Sequence, residues 1–535
     1  MYILKKSPRT LGLNEPIKHE SAHKRPVSRR DFIAQGFRTG PAVVAGGALL
    51  SALMGRPVRA MSPDLEAQKN APVTGCDITD GAGKVPFICF DLAGGANLIG
   101  SEVLIGQSGV PTNFLSTQGY ATLGLPGNMT PNSPNPAAPS GDFVNTDFGV
   151  AWHSDGAILR GMQASTQTTT RLNVHGYGIA ARSENDTGNN PHNPMYGINR
   201  VGADGQLLTL IGSQNSDSGG NSMAPAAMVN AAVRPTKVDR ASDVTGLVDT
   251  GELSTLFPNP ADAVAVLESM TRLGQTRAGL VAPEFADRAA EEKLVRCGYL
   301  KSTYLAERFN SPAALDPNQD LNIVGAPTSI FTQAEYNANG EFRKTAAVMK
   351  MVIQGLAGAG TITMGGYDYH GQGRNTGETR NFNAGRCIGA CLEYAARVNK
   401  PLMIYVFSDG ALSANGAPND TAAGRGKLDW ASDNQSTAGS FVLVYNPGRR
   451  PVLVSAARMQ IGSYSANGSV VTSSFPGANA VNLLVETVIY NYMALHGQQG
   501  QFADPQFFPR HGLGAALDSL RVFEPICTNI ITQPV

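Results

Sequence analysis

Two uninterrupted apolar runs limit what this chain can become. Val85 to Leu92 (VPFICFDL) and Leu402 to Phe407 (LMIYVF) have strand length, and each breaks into small and polar residues. Ala93-Gly94-Gly95 follows the first and Ser408-Asp409-Gly410 the second. A strand wetted on one side alternates apolar and polar residues, whereas one that is apolar throughout must be covered on both faces. Thr361 to Met364 repeats the pattern more weakly before Gly365-Gly366-Tyr367-Asp368, and Gln206 to Ile211 and Phe441 to Tyr445 read as further strands. Helical periodicity separates them, over Asp262 to Leu273, Glu284 to Leu300, Glu341 to Leu356, Arg380 to Val398 and Asn479 to Leu495. Strands alternating with helices of this length predict βαβ units and an α/β fold around a mostly parallel sheet.

Two stretches interrupt the alternation. Val103 to Gly141, which carries no charged residue and is rich in Pro, Gly, Asn and Thr, reads as an exposed, loop-rich insertion near 103–141. Residues 237–320 are the most charged and helical part and read as a helical insertion. The expected organisation is therefore a single large α/β domain over 61–535 behind a leader at 1–60. In the leader, Ser28-Arg29-Arg30-Asp31-Phe32-Ile33 precedes the weakly apolar PAVVAGGALLSALMG, and Val58-Arg59-Ala60 supplies small residues for cleavage. The order matches a secretory signal, and the paired arginines give it a twin-arginine (Tat) character. Its apolar stretch is shorter than the roughly 20 residues a spanning helix needs, and no later stretch reads as a membrane span. The expected partner is the Tat export machinery, and the expected location is periplasmic, cell-surface or secreted.

The formal charge of zero hides an asymmetry. Residues 1–60 hold 11 of the 42 basic residues and 3 of the 42 acidic ones, leaving a body with 31 basic and 39 acidic, formally −8. A mildly acidic body argues against nucleic acid as a partner, since sequence-independent binding needs a basic surface. Six cysteines (76, 89, 297, 387, 391 and 527) are too few for a disulfide scaffold; most read as buried thiols, with a Cys76–Cys527 pairing left open.

In open α/β sheets ligands bind beyond the carboxyl ends of the strands. Asp91, Asp368 and Asp409 each end a predicted strand there, and converging carboxylates repel unless a cation lies between them. Each one is also an ordinary turn or cap residue. His370, in Gly-Gly-Tyr-Asp-Tyr-His-Gly, adds an imidazole two residues after Asp368, giving the oxygen and nitrogen donors that zinc-type sites use. His511, after Phe507-Phe508-Pro509-Arg510, is a further candidate ligand or a surface residue. Arg182 to Asn193 (RSENDTGNNPHN) places hydroxyls beside carboxylates and a histidine, a setting for an activated nucleophile or for Asx turns. No Gly-X-Ser-X-Gly elbow occurs, so a serine-hydrolase triad has little support.

Taken together, the Tat-type leader, Asp91 to Gly95 (Asp-X-X-Gly-Gly), Gly365 to His370 (Gly-Gly-aromatic-Asp-X-His) and Phe407-Ser408-Asp409 resemble the exported DUF1501 proteins. His153-Ser154-Asp155 with Leu159 is also similar to that family. The resemblance spans about residues 28–515 on short motifs and implies the alkaline phosphatase/sulfatase superfamily. The implied fold is an alkaline phosphatase-like three-layer sandwich. The implied cofactor is a divalent metal of zinc, calcium or magnesium type, bound by Asp91, Asp368, His370 and Asp409. Thr187, or Ser183, would stand where a hydroxyl nucleophile is expected, with a small-molecule phosphate or sulfate ester as substrate. The chain departs from the family where relatives carry Asp-His-Gly, reading Ser432-Asp433-Asn434-Gln435. A neutral amide is a poor ligand for a zinc-type ion, so the resemblance also fits a degenerate, non-catalytic binding or structural protein.

Overall fold

The computed structural model describes residues 61–70, 83–108, 113–183, 190–247, 260–278, 297–298, 300, 303–304, 312–371, 373–515 and 517–534. The leader and Thr187 lie outside the described residues. The chain divides into two compact units, residues 1–66 with 250–307 and residues 67–249 with 308–535. In the smaller unit, the helix Pro260–Ala278 carries Arg272, whose guanidinium pairs with Asp64 at 2.9 Å.

The larger unit is built on β1 (Phe87–Leu92), β2 (Val174–Ile179), β3 (Leu208–Gly212), β4 (Thr236–Lys237), β5 (Ala357–Met364), β6 (Leu402–Phe407), β7 (Leu412–Asn419), β8 (Lys427–Asp433), β9 (Ser440–Tyr445) and β10 (Gln460–Ile461). Eight of these strands form one sheet in the order β10-β2-β9-β6-β1-β5-β3-β4. All run parallel except β9, which opposes both of its neighbours, β6 and β2. β7 and β8 form a separate antiparallel hairpin.

Every residue of β1 and β6 is buried, as their continuous apolar character requires. β5 is longer than its sequence suggests because it includes Gly358 and Gly360. A Cβ on Gly360 would lie 2.8 Å from Val348 and Val352, so the close approach of a helix dictates glycine where strand propensity favours a branched side chain. β2 (VHGYGI) has no sequence signal of its own, since His175, Gly176 and Gly178 dilute the apolar pattern. It forms because β9 supplies six paired positions along its whole length.

Helices cover both faces of the sheet. Phe87 meets Tyr492 of α5 (Val481–Leu495) edge to face at 5.8 Å, and Thr361 touches Met195 at the start of α2 (Met195–Arg200). Gly360, one residue from Thr361 and hence on the opposite face, lies under α3 (Gly340–Ile353). α4 (Arg374–Arg397) packs beside α3 and lies backbone to backbone against α1 (Ala157–Ser165). A Cβ on Gly161 or Gly385 would lie 2.2 Å from a carbonyl oxygen of the facing helix. The fold is thus α/β with helices on both sides of a mostly parallel eight-stranded sheet.

The segment 103–141 is irregular but not a purely exposed loop. Leu104, Ile105, Leu115, Tyr120, Leu123 and Leu125 are buried, and the Tyr120 hydroxyl donates to the Ile105 carbonyl at 2.7 Å. Its apolar residues lack strand or helix periodicity, so only their burial shows that they are anchors. Cys89, Cys387, Cys391 and Cys527 are buried free thiols, and Cys297 is disulfide-bonded. Cys527 therefore does not pair with Cys76; its thiol points at the Leu495 carbonyl. No helix among the described residues is long and apolar enough to cross a membrane.

Candidate metal centre

The loops leaving β1, β5 and β6 are laced together at the carboxyl edge of the sheet. Gly94 has φ +125°, and a Cβ there would lie 2.4 Å from the Asp368 backbone nitrogen, so glycine is what lets the β1 and β5 loops touch. The Ser408 hydroxyl accepts from the Gly95 and Ala96 N–H groups at 3.1 and 2.8 Å and donates to the Leu92 carbonyl at 2.6 Å. With all these partners inside the backbone, Ser408 is a fastener.

Asp91, the last but one residue of β1, is fully buried. One carboxylate oxygen accepts from the Asn221 and Ser222 backbone N–H groups, both at 2.8 Å, and the other accepts from the Ser222 hydroxyl at 3.1 Å. Burial pushes its carboxyl up to about 6, opposed by the Ser222 N–H and reinforced by the charge of Asp409. Asp409 is also buried: its carboxylate accepts from the Gly94 N–H at 2.7 Å and the Asn221 side-chain amide at 3.0 Å. These two acids bind the loop 218–222 and the β1 loop to the sheet.

Ser183 stands behind Asp409. Its hydroxyl donates to the Asp409 carbonyl at 2.7 Å, which also accepts from Asn190 at 2.6 Å. His192 Nε2 is 3.2 Å from the same hydroxyl, and its ring stacks on Phe407 at 5.5 Å. Burial pushes the His192 imidazole down to about 3, so it is neutral. Ser183 is only 2% exposed and its proton is directed at a carbonyl rather than at the imidazole. That arrangement fixes backbone and does not present a nucleophile to solvent.

Asp368 and His370 do come together, and the third member is Asp433 rather than Asp91 or Asp409. His370 Nδ1 lies 2.6 Å from Asp368 Oδ1 and 3.3 Å from Asp433 Oδ1, and all three side chains are exposed. Their donor atoms lie within 4.8 Å of one another, and among the described residues no other group of three His, Cys, Asp or Glu is so placed. Between Asp368 and His370, Tyr369 turns inward. Its hydroxyl accepts from the Asn97 N–H at 2.8 Å and donates to Asn381 at 3.3 Å. Asp433 arrives at the end of β8, where it pairs with Leu412, the first residue of β7. The sequence points to this residue only through the departure at Ser432 to Gln435; which rim it joins is set by hairpin register. His511 is elsewhere, tilted against Phe502 at 5.3 Å and beside Glu486.

Below the hairpin lies a buried ionic cluster. The Lys427 ammonium, wholly inaccessible, lies 2.8 Å from Glu378 and 3.5 Å from Asp155, while Arg374 pairs with Glu378 at 2.9 Å. Glu102 accepts from the Ile158 N–H at the start of α1 and from Asn381. The cluster ties β8 to α4 and α1.

Two carboxylates and one imidazole, open to solvent, make a hard mixed oxygen–nitrogen donor set. Three protein ligands with further positions free for water is the pattern of catalytic rather than structural zinc-type sites. No family model matches this chain, and no curated protein matches it.

Proposed function

We propose that this chain is a Tat-exported, DUF1501-like protein of alkaline phosphatase-like fold that binds one divalent cation through Asp368, His370 and Asp433 and hydrolyses a phosphate or sulfate ester there. The observation that carries the reading is the convergence of these three side chains beyond the carboxyl end of β5. The donor set suits a zinc-type ion, and with bonds of about 2 Å donor atoms must lie within roughly 4 Å of each other, close to the spacing present. A bound cation would supply Lewis acidity at an ester oxygen and a water made acidic enough to attack at neutral pH.

The chain's own residues hold the arrangement. Tyr369, anchored on Asn97 and Asn381, turns Asp368 and His370 outward, and the carboxylates of Asp368 and Asp433 both face Nδ1 of His370. With Nδ1 deprotonated and Nε2 carrying the proton, the imidazole can ligate. Export is supported by the ordering of Arg29-Arg30, the apolar stretch and Val58-Arg59-Ala60.

A second reading, a non-catalytic exported binding protein of the same fold, draws on the burial of Ser183. The test is elemental analysis of the purified exported form with assays on aryl phosphates and sulfates. Stoichiometric metal and turnover, both lost in Asp368→Ala and His370→Ala, support the hydrolase. Metal without turnover, or neither, overturns the hydrolase and leaves the binding protein standing.

A further inference from the structure

The two halves of the candidate metal centre come from segments some sixty residues apart, and one buried side chain joins them. Trp430 belongs to β8, three residues before Asp433, and is 2% exposed. Its indole contacts the β5 loop through Tyr369, the residue between Asp368 and His370, with ring centroids 6.4 Å apart. The Arg374 guanidinium, at the start of α4 and four residues after His370, lies over the same indole at 4.7 Å. Gly377, one turn further along α4, faces both rings. A Cβ there would lie 2.8 Å from Tyr369 Cε2 and 3.2 Å from Trp430 Nε1. Neither the indole nor the guanidinium is a metal donor, yet their contacts join the segment that carries His370 to the hairpin that carries Asp433.

We propose that Trp430, packed against Tyr369 and Arg374, is a positioning residue for the divalent cation at Asp368, His370 and Asp433. The inference rests on the metal-binding reading above. A chelate loses affinity steeply when one ligand-bearing segment shifts, and outer groups that orient ligands cost about 10- to 100-fold in metal affinity when removed.

The test is titration of the full exported chain with Co²⁺, followed by visible absorption, with Zn²⁺ as competitor. Trp430→Ala is expected to weaken Co²⁺ binding by at least about tenfold, and Trp430→Phe, which keeps an aromatic ring, by much less. Because Trp430→Ala can cost folding, Gly377→Ala decides. Alanine is the better helix former and leaves every proposed ligand in place, but its methyl group crowds both Tyr369 and Trp430. Affinity lower by about tenfold and an altered Co²⁺ spectrum, in protein that still folds, are the expected result. Wild-type protein that takes up no Co²⁺ defeats the metal reading itself. Wild-type uptake with unchanged affinity and spectrum in Gly377→Ala and in folded Trp430→Ala defeats the positioning role alone.

Discussion

Replacing Asp91 by Asn should make the protein more stable at mildly alkaline pH. In the folded chain the Asp91 carboxyl titrates at about 6 against an ordinary 3.8, chiefly because burial disfavours the charged form. The folded state therefore holds this proton more tightly than the unfolded chain does. Its contribution to stability is complete below about pH 3.8 and is lost as pH rises through about 6. At about 1.4 kcal/mol per pH unit, the gap amounts to about 3 kcal/mol. Asparagine avoids the loss and can keep the bonding. Its amide oxygen accepts the two N–H groups of Asn221 and Ser222, and its NH₂ donates to the Ser222 hydroxyl, which now reverses its role. The assay is urea unfolding of both proteins in EDTA between about pH 4 and pH 8. The stability of the variant relative to wild type should rise by about 3 kcal/mol across that range. Refutation is a difference that stays flat, or a variant less stable than wild type at pH 8. Either would show that a positive partner compensates ionised Asp91, which the bonding to Asn221 and Ser222 does not provide.

Two further substitutions test the packing beneath the site. Lys427→Met should destabilise the protein by about 3–5 kcal/mol in urea unfolding, because it removes the wholly buried cation that Glu378 and Asp155 share. A loss below about 1 kcal/mol would mean that Arg374, Arg160 and Arg425 suffice. Gly385→Ala should lower stability by about 1–3 kcal/mol despite alanine's better helix propensity, since its Cβ would meet the Ile158 carbonyl oxygen at 2.2 Å. A stabilising Gly385→Ala would show that α1 and α4 can separate at little cost.

The residues themselves determined the sheet's centre and the edge at which its strand-end acids lie. β1 and β6 are readable because a strand buried on both faces must be apolar along nearly its whole length, and the acids at their ends fall at the carboxyl edge for reasons of topology. Asp368 and His370 are legible as a pair because one turn carries both. Three things had no local signal. β2 depends on pairing with β9, β5 uses glycine to admit α3, and the fates of the four edge acids diverge. Asp91 and Asp409 have the same sequence setting as Asp368, yet the 218–222 loop and the Gly94 N–H draw them inside. Asp433, on a hairpin absent from the βαβ pattern, takes the place beside His370. Local sequence fixes which residues can bear charge at a strand end. Which of those charges meet water, and which meet each other, depends on loops arriving from hundreds of residues away, and only tertiary packing sets that.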